Sequence, residues 1–253
     1  MLFKRIIPVL LLRRRSLVKS VKFRNPTYVG DPINTVRIFN EREVDELIIV
    51  DINASPEHED PNYDLIEEIA AEAFMPFAYG GGVSSVEHAR ELFRRGAEKV
   101  VVNTAACRDP ELVSRLASAF GSQSVVASID CKRKWQGGWR VLTCHGREKT
   151  AWEPEAWAVE LEKRGAGEIM LTSIDQDGTF KGYDVELTRT VVNAVDLPVI
   201  ACGGAGNLEH VNQALNDGGA MAAGAGSLFV FQGSNRSVLV NYPGRGKLDA
   251  LLK

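Results

Sequence analysis

Three groups of residues in this chain have the types and spacing to do chemistry. The first is a set of carboxylates at the ends of short apolar runs: Asp51 closes "DELIIVD", Asp130 closes "SVVASID", and Asp175 and Asp177 follow "EIMLTSI". A carboxylate placed after a buried apolar run has its charged form disfavoured by desolvation, which lifts its pKa toward general acid/base work. Asp130 is the sharpest candidate; the competing reading for all four is a turn-former accepting bonds from loop amides. The second group is glycine. "YGGG" (Gly80, Gly81, Gly82) and "CGGAG" (Gly203, Gly204, Gly206) are each followed one unit later by small polar residues, Asn103 and Thr104 in "NTAA", and Gly226 and Ser227 in "AGS". Glycine admits backbone amides close to a ligand and a helix N-terminus favours an anion, so two such pairs point to a substrate with two anionic ends. The third group is four charges at the starts of apolar runs, Arg5, Glu46, Lys99 and Glu168. They either close into a ring or form surface salt bridges worth ~0–1 kcal/mol each, and pattern alone favours the surface bridges.

Lys19 lies in "SLVKSVKF", on a long connection that reads as a lid at a barrel mouth, where it either meets an anionic substrate or is simply solvated. The histidines carry less. His88 and His210 follow "VE" and "LE" at matching helix positions and read as packing or exposed residues, while His58 and His145 sit in polar loops. No nucleophile is paired with a base, so covalent catalysis has little support.

These residues need a frame, and the sequence supplies one. Apolar runs at Arg5 to Leu11, Glu46 to Asp51, Pro76 to Tyr79, Lys99 to Val102, Ser124 to Asp130, Glu168 to Thr172, Pro198 to Ala201 and, more weakly, Ala220 to Gly226 alternate with helical stretches. "SSVEHARELFRRG" and "DPELVSRLASAFG" are opened by Ser or Asp-Pro and closed by Gly. Eight such units in 253 residues are the count and length of a (β/α)8 TIM barrel, one domain over 1–253. Barrels of this kind build their sites at strand C-terminal ends. "LPVIACGGAGNLEH" repeats "MPFAYGGGVSSVEH" at an offset of 122, shared by "DELIIVDI" and "GEIMLTSI", which predicts two half-barrels, about 1–122 and 123–253. The strand opening the second half ends in Asp130; its counterpart "RIIPVLL" ends in Leu11. One carboxylate of the pair is missing.

Composition excludes other classes. A net charge of −3, from 30 Lys+Arg and 33 Asp+Glu, gives no reason to expect nucleic acid. The four cysteines form no CxxC pair, so neither a metal site nor a disulfide framework is indicated, and a reduced cytoplasmic setting is the default. "KRIIPVLLL" mimics a signal peptide, but its apolar stretch is short, contains Pro8 and runs into "RRR", so it reads as a buried strand. No segment approaches the ~20 apolar residues of a membrane span.

With "KRIIP", "GDP", "DEL", "GGG", "NTAA", "FGSQSVV", "ID", "RGAGEI", "LTSIDQDGT", "GYD" and "VIACGGAG" in order up to about Phe231, the chain resembles the HisF family, cyclase subunits of imidazole glycerol phosphate synthase. The resemblance implies a twofold barrel that receives ammonia from a HisH-like glutaminase in a heterodimer, with no cofactor or metal. Residue by residue it implies a general base at Asp130 and phosphate clusters at Gly82, Asn103 and Thr104 and at Gly178, Gly204 and Ser227. It further implies an ammonia gate at Arg5, Glu46, Lys99 and Glu168 and a substrate-loop lysine at Lys19; Asp51 and Asp177 stand as further substrate-site candidates. The family's general acid falls on Leu11, which cannot donate a proton. "VLLLRRRSLVKSVKF" and the ending "AGSLFVFQGSNRSVLVNYP" look like a narrower group, the HisF-like acetamidino-modification proteins of surface-polysaccharide (O-antigen) clusters. That similarity implies ammonia delivery for acetamido-to-acetamidino conversion on a nucleotide-linked sugar, with a separate amidotransferase-type enzyme. This is the leading expectation; a cyclase of histidine biosynthesis, with an acid such as Asp51 standing in, and a non-catalytic conduit that activates the glutaminase are the alternatives. The closing stretch "NYPGRGKLDALLK" departs from the family pattern, predicting a short eighth helix with either a loosened barrel closure or a changed partner surface.

Overall fold

The computed structural model describes residues 4–233 and 235–251. Eight parallel strands close a barrel: β1 (Arg5–Arg13), β2 (Leu47–Asp51), β3 (Phe77–Gly80), β4 (Lys99–Val102), β5 (Val125–Arg133), β6 (Glu168–Ser173), β7 (Val199–Cys202) and β8 (Ala222–Ala225). Each pairs with its sequence neighbours, and β8 returns to β1 through Arg5 opposite Ala222 to Pro8 opposite Ala225. Strands buried on both faces are written as continuous apolar runs, because alternate side chains point to opposite sides and neither side is wet. In β1, Ile7 and Val9 point into the barrel with Ile48, Val101, Val126, Met170 and Ile200, while Ile6, Leu10 and Leu12 pack outward against the helices.

The helices α1 (Pro32–Glu41), α2 (Tyr63–Glu72), α3 (Val86–Arg94), α4 (Glu111–Phe120), α5 (Pro154–Lys163), α6 (Val185–Val192), α7 (Leu208–Asn216) and α8 (Arg245–Leu251) follow the strands in turn. Their starts are chemically marked. Asp31, Asn62, Ser85, Asp184 and Asn207 each accept a bond from a backbone N–H three residues on, satisfying a donor the helix leaves open. The weak eighth run becomes a strand of small residues because its neighbours fill the space: Tyr183 donates to the Gly224 carbonyl at 3.1 Å, and the Cys202 sulfur occupies the place of a Gly224 side chain.

Strand register places Leu11 beside Val50 and Asp130 beside Thr172. Val50 and Thr172 are 122 apart, so the leucine and the aspartate occupy matching stations of the barrel.

The expected long lid after β1 is instead a hairpin. Ser16–Val21 pairs with the end of β1 and with Arg24–Gly30, extending the sheet above the mouth. A second hairpin, Trp139–Thr143 with Glu148–Lys149, pairs with the end of β5.

The C-terminal stretch does not loosen the closure. Tyr242 is buried against Phe39 and Phe229 and donates to the Ile6 carbonyl at 2.9 Å, tying this segment to β1. Leu252 and Lys253, the end of the stretch flagged in the sequence, lie outside the described residues. Tyr242→Phe leaves that carbonyl without its donor, and thermal unfolding should show a loss of about 1–2 kcal/mol, or ~2–6 °C.

Candidate active site

One cavity opens at the C-terminal ends of the strands. Lys19, Asp51, Gly82, Asn103, Thr104, Asp130, Asp177, Gly178, Gly204 and Ser227 all line it, so residues from all parts of the chain converge as expected. Leu11 lines it too.

Asp130 sits at the end of β5 with 9% of its surface exposed. Asn103, at the end of β4, donates from Nδ2 to Asp130 Oδ2 at 2.9 Å. Burial pushes the carboxyl up to about 7, with the Asp177 charge adding and the Asn103 and Thr172 hydrogen bonds opposing. Asn103 therefore faces the carboxylate, and its Oδ1 has no partner among the described residues.

Lys19 is 7% exposed, which overturns the solvated alternative. The hairpin turns it inward, where Nζ donates to the Val9 carbonyl at 2.6 Å. Gly226 makes the room: a side chain there would overlap the lysine ammonium. Burial pulls Lys19 down to about 8 against the pull of Asp177 and Cys202. Asp177 is in turn raised by burial, with Lys19, the Phe23 amide and Ser20 holding it down.

The glycine loops are shaped by close approach. Gly82 has φ +72°, and a Cβ there would come 2.6 Å from the Glu59 carbonyl; Gly204 has φ +107°, and its Cβ would strike the Gly182 carbonyl. Each loop is held by a histidine of the following helix: His88 Nδ1 lies 3.0 Å from the Gly82 carbonyl oxygen, and Gly206 N–H donates to His210 Nδ1 at 3.1 Å. Packing is thus the right reading for this pair. Thr104 Oγ1 accepts from the Cys144 amide at 3.0 Å, which ties the second hairpin to its cradle. Asp51 accepts from the Asn53 and Ala54 amides at 2.9 and 3.3 Å, which is the turn-former geometry, although it also lines the cavity and burial raises its pKa. Asp175 accepts from the Arg133 amide at 2.9 Å, which ties its loop to the end of β5, and is absent from the cavity lining.

Among the cavity residues that the sequence did not mark as part of the site are two aromatic rings. Phe23 and His145, at the tips of the two hairpins, stack with centroids 4.7 Å apart and planes 5° from parallel. Both have positive φ, +60° and +56°, a conformation that costs energy outside glycine. His145 does lie in a loop, the turn of the second hairpin, but the fold brings that turn over the cavity: burial, with Arg147 adding, pushes its pKa down to about 4, so a neutral ring roofs the mouth. The available signal was spacing, since Phe23 and His145 are 122 apart like His88 and His210.

At the opposite end, the charges form a closed ring rather than the surface bridges that pattern alone favoured. Arg5 bonds Glu46 at 2.6 Å and Glu168, and Lys99 bonds Glu46 at 2.6 Å and Glu168 at 3.3 Å. Arg5 and Glu46 begin adjacent strands, but Arg5–Glu168 and both Lys99 contacts join strands that are not neighbours, so the ring spans the barrel end. Both glutamate side chains are 8% exposed. Among the described residues no group of three His, Cys, Asp or Glu could hold a metal ion, and no helix is long and apolar enough to cross a membrane.

Residues 5–235 match the family described as Histidine biosynthesis protein. A provisionally named imidazole glycerol phosphate synthase subunit of Pseudomonas aeruginosa, hisF2, is 52% identical over 98% of this chain and 99% of its own length. Imidazole glycerol phosphate synthase subunit HisF of Trichormus variabilis is 43% identical over 96% of this chain and 95% of its own. A provisionally named HisF subunit of Leptospira borgpetersenii is also 43% identical, over 99% of both chains. Identity of this extent, spread over the whole barrel and its mouth, assigns the chain to the HisF family of histidine biosynthesis proteins.

Proposed function

We propose that this chain is the ammonia-consuming cyclase subunit of a glutamine-dependent imidazole glycerol phosphate synthase. The observation that carries this reading is the convergence of Asp130, Lys19 and two glycine-lined cradles on one cavity, above an apolar barrel interior. The relatives' names favour it over the sugar-modifying reading, which none of them mentions. Gly82 and Thr104 on one side, and Gly178, Gly204 and Ser227 on the other, hold the two phosphate ends of the substrate; Asn103 serves the base instead, orienting it through the 2.9 Å bond. Asp130, titrating near neutrality, takes the proton of the attacking nitrogen. A HisH-like glutaminase docks at the charged end and releases ammonia through the ring. The interior beyond, lined by Ile7, Ile48, Val126, Met170 and Ile200, passes neutral ammonia and rejects ammonium, whose desolvation there is prohibitive.

Lys99→Met opens the ring and should lower glutamine-driven turnover about tenfold or more, while turnover supported by ammonium salts changes less than about twofold. Leaving two buried carboxylates short of a cation should also cost about 1–3 kcal/mol, below the ~3–5 of a fully buried pair because Lys99 is a quarter exposed.

Leu11 favours a second reading. With the cyclase's acid absent opposite Asp130, the chain would instead supply ammonia for amidine formation on a nucleotide-linked sugar, as in O-antigen modification, where a separate amidotransferase-type enzyme activates the acetamido oxygen. Complementation separates the two. Expressed with its own glutaminase in a histidine auxotroph lacking the cyclase subunit, the chain should restore growth; no growth from well-folded protein would overturn the histidine reading in favour of the second.

A further inference from the structure

Ammonia cannot displace an oxygen from carbon with a base alone. The oxygen must gain a proton as the nitrogen loses one, and the station that mirrors Asp130 is filled by Leu11. We infer that Lys19 is the proton donor of this site, its ammonium standing in for the carboxyl absent at position 11. This inference rests on the cyclase reading above.

Three independent observations lead here. Lys19 Nζ donates to the carbonyl of Val9, two residues before Leu11 on β1 and on the same inward face, so the ammonium lies on the strand that lacks the acid. The side chain is held rather than mobile: the hairpin pairs Lys19 with Thr27, the chain at Lys22 donates to the Asp177 carbonyl at 2.9 Å, and Gly226 leaves the slot the ammonium fills. Asp130 and Lys19 also line the same cavity, one on β5 and the other beside β1. The titratable groups around the lysine are Asp177 after β6, Cys202 at the end of β7 and Asp130. Its displacement to about 8 by burial puts the ammonium in the range where a lysine gives up a proton readily at neutral pH.

The step balances. The ammonia nitrogen bonds to the carbonyl carbon as the C=O π pair moves to oxygen, oxygen takes a proton from Lys19, and Asp130 takes one from the nitrogen. The carbinolamine stands between a neutral amine and a carboxylic acid. Proton exchange with water restores both; the nitrogen lone pair then forms the C=N bond as the hydroxyl, protonated by Lys19 in its turn, leaves as water, and Asp130 takes the surplus proton from that nitrogen.

The test is a double-mutant comparison driven by ammonium salts. Lys19→Gln should lower kcat about 10²–10³-fold in the natural chain, within the range for loss of a general acid. In a Leu11→Asp background the same substitution should cost about tenfold or less, because the new carboxyl supplies the proton, and the alkaline fall of the rate should follow the carboxyl at lower pH and no longer the lysine near 8. Equal losses in both backgrounds would make Lys19 a substrate-binding cation and overturn the inference. A second readout needs no substrate: 13C NMR of lysine Cε in the free chain should show one lysine titrating near 8 that disappears in Lys19→Gln. A Lys19 signal titrating near 10.5 would remove the donor. Absence of imidazole glycerol phosphate in every folded variant, Leu11→Asp included, would overturn the cyclase reading and the inference with it, whereas equal losses in active variants would overturn the inference alone.

Discussion

Asp130→Asn is expected to lower product formation about 10²–10⁴-fold while leaving stimulation of the glutaminase intact. Asparagine preserves the shape of the side chain but cannot take a proton from nitrogen. The same variant should be more stable than the natural chain in alkali. Burial raises the folded-state pKa of Asp130 from 3.8 to about 7, so the native state holds its proton more tightly than the unfolded chain. That contribution to stability is fully present below about pH 4 and is lost as the pH rises through 7. Asparagine has no charge to bury, and Asp130→Asn should therefore melt higher than the natural chain at pH 8.5, by about 1–3 kcal/mol at ~1.4 kcal/mol per unit with allowance for relaxation. The difference should shrink to about a third of that at pH 5 and vanish below about pH 4. Loss of product with retained glutaminase stimulation excludes a mere conduit; unchanged product formation would remove Asp130 from the chemistry.

Leu11→Asp is the converse and carries the largest expected gain. The side chain lines the cavity and packs with Val50 on the inner apolar layer, at the station that mirrors Asp130. A carboxyl there, with Asp51 and Asp130 in the same cavity, would be raised by burial and by like charge, as a proton donor requires. Formation of imidazole glycerol phosphate should rise about tenfold over the natural chain, because Lys19 already supplies most of the ~10²–10⁴ that a positioned acid contributes. The substitution should also cost about 1–3 kcal/mol, since it trades apolar contact for a carboxyl with few partners. Leu11→Asn is the control: it carries the same cost in packing and should bring no gain. If both variants behave alike, position 11 is not an acid station in this chain.

The barrel was legible because a parallel strand covered on both faces has no polar face to interrupt its apolar run, and because Ser85 and Asn207 mark helix starts by their side-chain chemistry. The carboxylates and glycines of the site were legible for a related reason. They stand at the ends of those runs, and the repeat at 122 doubled each signal. The hairpin over Lys19 was not. "SLVKSVKFRNPTYVG" is polar and charged, it contains Pro26, and its pairing depends on a continuation of β1 that local sequence does not announce. Whether a lysine is solvated or buried is then decided by that pairing and by a glycine more than 200 residues away, Gly226. The roof of Phe23 and His145 was hidden likewise, since each residue alone sits in a polar turn and only the fold brings the rings together. The ring of Arg5, Glu46, Lys99 and Glu168 shows the opposite bias: pattern found the residues, but only barrel closure makes four strand starts face one axis.

The central claim is that this barrel joins ammonia to its substrate with Asp130 as base and without an acid at position 11. Its most direct test is imidazole glycerol phosphate formation by the purified chain from ammonium salts and the phosphorylated histidine-pathway precursor, run in parallel on the natural protein, Asp130→Asn and Leu11→Asp. The account predicts measurable turnover in the natural chain, none above background in Asp130→Asn and a rise of about tenfold in Leu11→Asp, where the carboxyl adds to the donor already present. Turnover in the natural chain that survives Asp130→Asn, or a folded Leu11→Asp protein no faster than the natural one, would contradict it.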